Sequence, residues 1–413
     1  MAKARICFLV GSVAMSGGTY VILQHASFLR DQGHDVTLAV QEPFGPETLA
    51  WHDEGPKLRC VSFDEARRGT YDVAIGTWWR TALDLATFDA RHHAYFVQSI
   101  ESRFYPEHEK ALHALVDATY AFPVHFVTEA TWIVHHLAAH FGKEARLVRN
   151  GIRKDIYTPD GPVVAPRPRS GQPRILVEGH FCVPFKNTAL AVKLAREAGA
   201  RDVWVMTGSR VTSLPGVSRV FSRVPIQKTA EVYRSCDVLL KLSTVEGMFG
   251  PPLEMFHCGG TAVVFDVTGH DEYIRAGENA LVAEGRDVER VVAQIRALCD
   301  DRARLDSLKA GALATAAAWP AWAQSSAEFE RWVIGVSSSA TSSPANRKRI
   351  EELAARAWDR YKTDEARRRR RDPRALVRIK LAELVSRLPG AVREQITRVQ
   401  TLSEVLSPSR LVS

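Results

Sequence analysis

The strongest constraint on the fold is an alternation of short apolar runs with segments of helical periodicity, and this alternation occurs twice along the chain. Such a pattern is typical of parallel sheets whose strands are joined by crossover helices. The first series of predicted strands is RICFLV, DVTLAV, YDVAIGT, HAYFVQS, HFVT and ARLVRN, and the second is RILVEGH, VWVMTG, SRVF, DVLLKLS, TAVVFDV and ALVAE. The sequence therefore predicts an α/β protein with two doubly wound, Rossmann-like domains.

The boundaries of these domains follow from breaks in the pattern. The segment YTPDGPVVAPRPRSGQP is rich in proline and has no periodicity, so it predicts an interdomain linker. We predict an N-terminal domain over residues 1–157, a linker over 158–173 and a C-terminal domain over 174–335. Residues 336–413 begin with the serine-rich VSSSATSSPANR and form a separate appendage.

Cysteine usage and hydropathy bear on the cellular setting. The six cysteines lie far apart without a C-x-x-C pair, which argues against a zinc site and a disulfide framework and favours the cytoplasm. The sequence contains no stretch of about 18 uninterrupted apolar residues, so no transmembrane helix is expected. The start MAKARICFLVGSVAM has features of a short signal peptide, but the strand, glycine loop and helix pattern that continues from it favours an ordinary first strand.

The segment TVEGMFGPPLEMFHCGG places Glu246 and Glu254 around a loop with two glycines and two adjacent prolines. The strand DVLLKLS leads into this loop, and the prolines suit the first turn of a helix, where a missing N–H costs little. Two-domain α/β proteins usually bind their ligand at the carboxyl ends of strands, where this loop lies. The sequence therefore predicts a ligand-binding loop between a strand and a short helix.

The chemistry of this loop fits a nucleotide sugar. A helix N-terminus favours phosphate, and Gly247 and Gly250 let backbone amides approach a ligand closely. The carboxylates of Glu246 and Glu254 can each accept hydrogen bonds from paired hydroxyls. A ligand with a sugar, a central diphosphate and a ribose would use all of these groups.

The stretch E-G-M-F-G-P-P-L-E, with its E-x7-E spacing, resembles the signature of retaining, nucleotide-sugar-dependent glycosyltransferases of the GT-B fold, in particular glycosyltransferase family 4. VRNGIRKDIYTPD, YRSCDVLLKLST and HDEYIRAGENALV also resemble segments of that family, so the likeness covers roughly residues 5–335. The stretch YFVQSIESRFYP is similar to a branch associated with rhamnan-type polysaccharides. The resemblance implies a GT-B protein with an acceptor-side first domain and a donor-binding second domain.

The resemblance also implies roles for individual residues. Glu246 would contact hydroxyls of the transferred sugar, and Lys186 would neutralise the departing diphosphate, so these two are the catalytic candidates. Glu254 would hold the ribose. The donor-binding candidates are Gly17, Gly18, His180, Val224, Gly247, Met248, Phe249, Gly250, Leu253 and Glu254, and the acceptor-side candidates are Gln98 and Glu101.

The family mechanism implies transfer with retention of the anomeric configuration and needs neither a protein base nor a metal. We therefore expect no metal site and no cofactor besides the nucleotide-sugar substrate. Many family members carry an arginine where His180 follows Gly179, so a non-catalytic GT-B protein that binds sugar nucleotides or serves as a subunit of a polysaccharide-assembly complex is the alternative. A nucleotide-dependent dehydrogenase is disfavoured, because GSVAMSGG does not fit G-x-G-x-x-G.

The appendage is basic. Arg347 to Ser413 contain 18 Lys or Arg against 9 Asp or Glu, a net charge of +9, whereas the whole chain is +8. Apolar residues recur in it at helical spacing: Val377, Leu381, Leu384, Val385 and Leu388. A basic amphipathic helix suits an anionic membrane surface, so residues 345–413 indicate that the protein binds peripherally to the inner face of the membrane. We therefore expect the acceptor to be a glycan or a lipid-linked molecule.

The appendage allows one other interpretation and argues against a third. A helix that packs on the body of the protein or on a partner protein explains the same spacing. Nucleic acid is not expected as a partner, because no aromatic platform or recognised binding fold accompanies the RRRRR run.

Overall fold

The computed structural model describes residues 3–340 and 344–371. Within them the chain divides into two compact units. The first unit contains the residues up to Gly151 together with those from Trp322 onward, and the second unit spans Ile152–Ala321. Each unit has its own parallel sheet and its own hydrophobic core.

The first unit is built on a parallel sheet of seven described strands. They are β1 (Arg5–Val10), β2 (Asp35–Val40), β3 (Arg59–Ser62), β4 (Thr70–Gly76), β5 (Asp89–Val97), β6 (His125–Thr128) and β7 (Ala145–Leu147). Their order is β3-β2-β1-β4-β5-β6-β7. The order reverses between β1 and β4, which creates a crevice at the carboxyl ends of these two strands.

Five helices connect these strands: α1 (Gly17–Asp31), α2 (Phe63–Ala66), α3 (Trp79–Leu83), α4 (Lys110–Ala118) and α5 (Thr131–Phe141). Helix α1 begins after Ser16, whose hydroxyl accepts a hydrogen bond from the backbone N–H of Thr19 at 3.1 Å. This cap satisfies one of the free N–H groups at the helix start. The helix therefore begins directly behind the loop that leaves β1.

The second unit repeats the architecture with six described strands. They are β8 (Ile175–Glu178), β9 (Val203–Thr207), β10 (Arg219–Ser222), β11 (Val238–Lys241), β12 (Thr261–Phe265) and β13 (Leu281–Ala283). Their order is β10-β9-β8-β11-β12-β13 and all neighbours are parallel. Five helices cover this sheet: α6 (Thr188–Glu197), α7 (Ile226–Ser235), α8 (Gly250–His257), α9 (Val288–Asp300) and α10 (Arg302–Ala318).

The predicted fold class, with two Rossmann-like parallel-sheet domains, is confirmed. In the second sheet the order reverses between β8 and β11. Residues on the loops after these two strands therefore come together at one edge of the sheet.

The proline-rich segment 158–173 lies on the second unit. Arg234 donates hydrogen bonds to the carbonyl oxygens of Ile156 and Pro162, at 3.0 and 2.8 Å. Arg167 donates to the carbonyl oxygens of Cys258 and Gly259, at 2.8 and 2.7 Å. Two arginines therefore fasten this extended segment by satisfying carbonyl groups that secondary structure leaves free.

Helix α11 (Trp322–Ser338) follows the second unit in sequence but packs in the first. The ring of Phe329 stacks on His25 of α1 with centroids 4.3 Å apart, and His25 Nδ1 shares a hydrogen bond with Ser326 Oγ at 3.1 Å. The sequence assigned residues up to 335 to the second domain, whereas contacts group this helix with the first unit. Its apolar face fills the core beside α1, and sequence position alone does not reveal that return.

Helix α12 (Pro344–Arg371) also belongs to the first unit. Ile350 and Ala354 on this helix are 1% and 7% exposed, and Arg347 donates to the carbonyl oxygen of Ala86 at 2.8 Å. This part of the predicted appendage is therefore integrated into the body. The amphipathic segment predicted from Val377 to Leu388 lies outside the described residues.

None of the helices in the described ranges has both the length and the hydropathy that a membrane crossing requires.

Candidate functional site

The candidate donor site lies in the second unit, at the carboxyl ends of β8 and β11. These strands are neighbours in the sheet, with Leu240 in register with Val177. Glu178 and Lys241, the last residues of the two strands, therefore lie side by side. The two loops that follow them carry Lys186 and Glu246.

Direct hydrogen bonds join these two loops. The backbone N–H of Thr244 donates to the carbonyl oxygen of Phe185 at 2.8 Å, and Asn187 Nδ2 donates to the carbonyl oxygen of Leu242 at 3.0 Å. Asn187 adopts a left-handed backbone conformation with φ of 49°, which asparagine tolerates better than most residues. The turn at Asn187 thereby places Lys186 beside the second loop.

Lys186 and Glu246 form an ion pair across the loops. Lys186 Nζ lies 2.7 Å from Glu246 Oε1 and 2.8 Å from Oε2. Burial favours the neutral carboxyl, but the charges of Lys186 and Lys241 outweigh it and hold the pKa of Glu246 below its ordinary value. Glu246 is therefore ionised at neutral pH, as a carboxylate that accepts hydroxyl hydrogen bonds should be.

Lys241 is a buried partner of the same pair that the sequence analysis did not identify. Its side chain is 2% exposed, and its Nζ lies 2.5 Å from Glu178 Oε2 and 3.8 Å from Glu246 Oε1. Burial alone would lower the pKa of Lys241, but the two carboxylates raise it. The signal in the sequence is a lysine at the last position of the otherwise apolar strand VLLK.

The second glutamate of the motif lies in a different environment. Glu254 is in helix α8, and loss of water around its carboxyl, with the nearby charge of Glu178, raises its pKa to about 7. The hydroxyls of Tyr233 and Tyr157 donate hydrogen bonds to it and oppose the shift. Glu254 thus changes its charge near neutral pH while Glu246 does not.

The loop between the two glutamates ends as predicted, with Pro251 and Pro252 in the first turn of α8. Met248 and Phe249 are 8% and 0% exposed, so their side chains point into the core of the unit. Leu253 is also fully buried. These three residues can therefore offer a ligand only their backbone groups.

His180 follows Gly179, the glycine that begins the loop after β8. Gly179 has φ of +154°, and a Cβ atom there would lie 2.4 Å from Thr188 Oγ1. The ring of His180 packs against Gly208, where a Cβ atom would lie 2.1 Å from the ring. Burial lowers the pKa of His180, so the imidazole is neutral at neutral pH. Val224 lies on the loop after β10, at the same carboxyl edge of the sheet.

The first unit carries the donor-binding candidates Gly17 and Gly18, after β1, and the acceptor-side candidates Gln98 and Glu101, after β5. Gly17 and Gly18 form the first turn of α1, and Gln98 follows β5. A Cβ atom at Gly18 would lie 3.4 Å from Gln98 Oε1, so the side chain of Gln98 lies beside Gly18. Gln98 Oε1 is buried and accepts no hydrogen bond from any described residue. A buried acceptor of this kind calls for a partner.

Glu101 lies in the interior of the first unit. It is 3% exposed, and its Oε2 accepts hydrogen bonds from the backbone N–H of Trp79 at 2.8 Å and the hydroxyl of Tyr95 at 2.9 Å. Burial raises the pKa of Glu101 to about 8. The carboxyl of Glu101 thereby links the loops after β4 and β5, and its role on the acceptor side stays a prediction.

Two exposed arginines near these strand ends, Arg80 in α3 and Arg103 after β5, were not singled out from the sequence. The guanidinium of Arg80 lies 5.0 Å from the ring centre of Trp78, and that of Arg103 lies 5.0 Å from the ring centre of Trp132. Neither arginine forms an ion pair with a described residue. Neither arginine belongs to a spaced sequence pattern, so the sequence alone does not point to them.

Within residues 3–340 and 344–371 no group of three or more His, Cys, Asp or Glu side chains is arranged to hold a metal ion.

Comparison with known proteins gives a family match within the second unit. Residues 212–314 match the family model described as glycosyl transferases group 1. Both glutamates of the E-x7-E motif fall in this segment, whereas Lys186 precedes it.

Two relatives resemble part of the chain. The O-antigen biosynthesis protein RfbC of Myxococcus xanthus is 25% identical over 52% of this chain and 17% of its own length. The D-inositol 3-phosphate glycosyltransferase 1 of Catenulispora acidiphila is 37% identical over 24% of this chain and 24% of its own length. The matched regions thus span about a quarter or less of these relatives.

Solved structures resemble the chain more completely. A sucrose-phosphate synthase from Thermosynechococcus elongatus superposes on 80% of this chain and 99% of its own with a TM-score of 0.64 and 13% identity. The Anabaena protein Alr3699/HepE in complex with UDP-glucose covers 80% of this chain and 100% of its own with a TM-score of 0.63 and 15% identity. At this identity the likeness establishes the fold, which is GT-B.

Proposed function

We propose that the protein is a retaining glycosyltransferase that transfers a sugar from a nucleotide sugar to a glycan or lipid-linked acceptor without a metal ion. The observation that carries this proposal is the cluster of Lys186, Glu246 and Glu254 at the switch point of the second sheet. The match of residues 212–314 to glycosyl transferases group 1 supports it. The Anabaena protein of the same fold binds UDP-glucose, which is the donor class proposed here.

Each part of the donor meets a suitable group in this cluster. The ribose hydroxyls bind Glu254, and the diphosphate binds Lys186 and the backbone N–H of Leu253 near the start of α8. The hydroxyls of the transferred sugar bind Glu246. Backbone amides between Gly247 and Gly250 line the sugar, which suits a loop whose large side chains are turned inward.

The chemical step follows from these positions. The bond between the anomeric carbon and the donor phosphate oxygen breaks, and the acceptor oxygen forms its bond on the same face of the sugar. The acceptor proton passes to the departing phosphate oxygen, so no protein base is needed. Lys186 stabilises the negative charge that grows on the diphosphate, and a positioned ammonium acts strongly because it needs no reorganisation.

The acceptor binds, in this proposal, at the carboxyl edge of the first sheet. Gln98 Oε1 accepts a hydrogen bond from an acceptor hydroxyl, beside the wall formed by Gly17 and Gly18. Arg80 lies over the ring of Trp78 and Arg103 over the ring of Trp132 in α5, and these two cations favour an acceptor that carries a negative charge.

A panel of UDP, GDP, dTDP and ADP sugars tests the function. We expect one donor to release its nucleotide in the presence of purified full-length protein, with and without EDTA, and the product linkage to keep the donor's anomeric configuration by NMR. An inverted product would contradict retention, and complete loss of activity with EDTA would contradict the metal-free step. Nucleotide binding without release from any donor would favour the non-catalytic alternative.

A further inference from the structure

Lys241 is the charged last residue of β11, whose other side chains are apolar. Its neighbours Leu240 and Leu242 are both 0% exposed, and the lysine itself is 2% exposed. A buried ammonium is costly unless carboxylates pair with it. Glu178 at 2.5 Å and Glu246 at 3.8 Å supply that pairing, one from each of the two strand ends that form the donor site.

The proposed function places two demands on Lys186. Its ammonium donates to both oxygens of Glu246 in the structure, and it also has to stabilise the diphosphate of the donor. When Lys186 turns toward the diphosphate, Glu246 loses its nearest cation. A carboxylate that is only 11% exposed would then take up a proton unless another positive charge stayed nearby.

We propose that Lys241 is the positioning residue that keeps Glu246 ionised when Lys186 engages the diphosphate of the donor. The inference rests on the proposed function, since it assumes that the diphosphate binds Lys186. Lys241 remains beside Glu246 because its ammonium pairs with Glu178 and its side chain is buried. It acts through Glu246 and does not itself contact the substrate.

The charged groups around Lys241 determine how strongly its loss is felt. Glu178 faces it from β8, and Glu246 and Glu254 face it from the loop and helix after β11. Lys186 and the neutral His180 face the same carboxylates from the loop after β8. With two ammonium groups for three carboxylates, removal of Lys241 leaves one cation in a site that receives an anionic diphosphate.

The test uses variants that remove the buried pair without leaving an isolated charge. In the double variant Lys241→Met/Glu178→Gln both partners become neutral at nearly unchanged volume, so the strand ends stay packed. Lys228→Met is the matched control, because Lys228 is an exposed lysine of the same unit that pairs with Glu231. Thermal unfolding establishes that each variant is folded before binding is measured.

The decisive measurement is the number of protons taken up when a nucleoside diphosphate binds. Calorimetry of UDP binding at pH 7, or of whichever diphosphate of the panel binds, is repeated in buffers of different ionisation enthalpy. We expect the double variant to take up close to one more proton than wild type, and Lys228→Met to match wild type. Adding Glu246→Gln to the double variant should abolish the extra proton, which assigns it to Glu246.

The outcomes separate the two proposals. Equal proton uptake by wild type and the double variant overturns the role of Lys241 and leaves the glycosyltransferase proposal intact. Extra uptake that persists in the triple variant also overturns it, because the proton then belongs to another group. Binding of the diphosphate without turnover of any donor defeats the catalytic proposal while the proton count still tests Lys241, and absence of binding by every diphosphate overturns both.

Discussion

Lys186 donates to both carboxylate oxygens of Glu246, at 2.7 and 2.8 Å, across the point where the strand order of the second sheet reverses. The two residues are 60 positions apart in the chain, and only the adjacency of β8 and β11 brings them together. The pair holds one positive and one negative charge in a largely buried position. A donor that brings a diphosphate and sugar hydroxyls can use both charges separately.

Lys186→Ala should lower kcat more than it raises KM for the donor. The diphosphate gains negative charge as the sugar departs, so the ammonium stabilises the transition state more than the bound donor. Loss of one such group costs roughly 10²-fold to 10³-fold in kcat. Steady-state kinetics with saturating acceptor measure the effect, with the exposed Lys193→Ala as control. A variant that keeps its kcat at saturating donor would remove Lys186 from the chemical step.

Glu254→Ala and Glu246→Ala should have different effects on binding. Glu254 is assigned to the ribose, so its loss should weaken the binding of free nucleoside diphosphate. Glu246 is assigned to the transferred sugar, so its loss should leave that affinity nearly unchanged and reduce donor turnover. Calorimetry with the diphosphate decides, and an equal loss of affinity in both variants would contradict the assignment.

Glu101 should make stability depend on pH. Its ordinary pKa is 4.5 and burial raises the pKa to about 8 in the folded protein, so the folded state holds a proton that the unfolded state loses between these values. Stability therefore falls as pH rises through this range, by about 1.4 kcal/mol per pH unit from this group, and levels off above pH 8. The amide of Glu101→Gln does not titrate.

The difference in melting temperature between Glu101→Gln and wild type should accordingly grow between pH 6 and pH 8. Because the slope falls as the pH approaches the pKa, the contribution over these two pH units is about 2.3 kcal/mol, and the increase is on the order of 5 °C. Glu101→Gln retains an oxygen that can accept from Trp79 and Tyr95, so it tests the charge and not the contacts. Melting curves of the two proteins that shift in parallel with pH would show that Glu101 does not titrate in this range.

Gln98→Ala should impair transfer to the acceptor while leaving donor hydrolysis nearly unchanged. The side chain offers a buried oxygen beside Gly18 in the first unit, whereas Lys186, Glu246 and Glu254 lie in the second. Gln32→Ala is the control, because Gln32 lies at the opposite end of the helix that begins at Gly17. The acceptor KM should rise about tenfold for a lost hydrogen bond of roughly 1.4 kcal/mol. An equal fall in hydrolysis and transfer would place Gln98 outside the acceptor site.

The two-domain fold could be predicted from the sequence because strand and helix periodicities are local. The position of the loop around Glu246 and Glu254 could be predicted for the same reason, since a strand, two prolines and a helix follow one another directly. The return of α11 to the first unit could not be predicted, because the pairing of Phe329 with His25 joins residues more than 300 positions apart. A proline-rich break gives no sign that the chain later crosses back.

The charge pairing in the donor site was hidden for a related reason. Lys241 looks anomalous within DVLLK, but its partner Glu178 is the last residue of a strand that is not its neighbour in sequence. The burial of Glu101 was hidden in the same way. Its carboxyl accepts hydrogen bonds from the hydroxyl of Tyr95 and the backbone N–H of Trp79, which the order of residues does not reveal. Burial of a polar side chain depends on partners that the linear pattern does not reveal.

Truncation at two positions should separate the structural and the surface-binding parts of the basic appendage. A protein that ends at Arg371 keeps α12, whose Ile350 is 1% exposed, so it should fold with a melting temperature near that of the full chain. A protein that ends before Pro344 exposes the surface that α12 covers and should be markedly less stable.

If residues 372–413 form the predicted amphipathic helix, the protein ending at Arg371 should no longer cosediment with anionic vesicles. The full chain should cosediment at low salt and less at high salt, because salt screens its positive charges. Equal cosedimentation of both proteins would assign the attraction to the arginines of α12, and no cosedimentation of the full chain at low salt would contradict the membrane hypothesis.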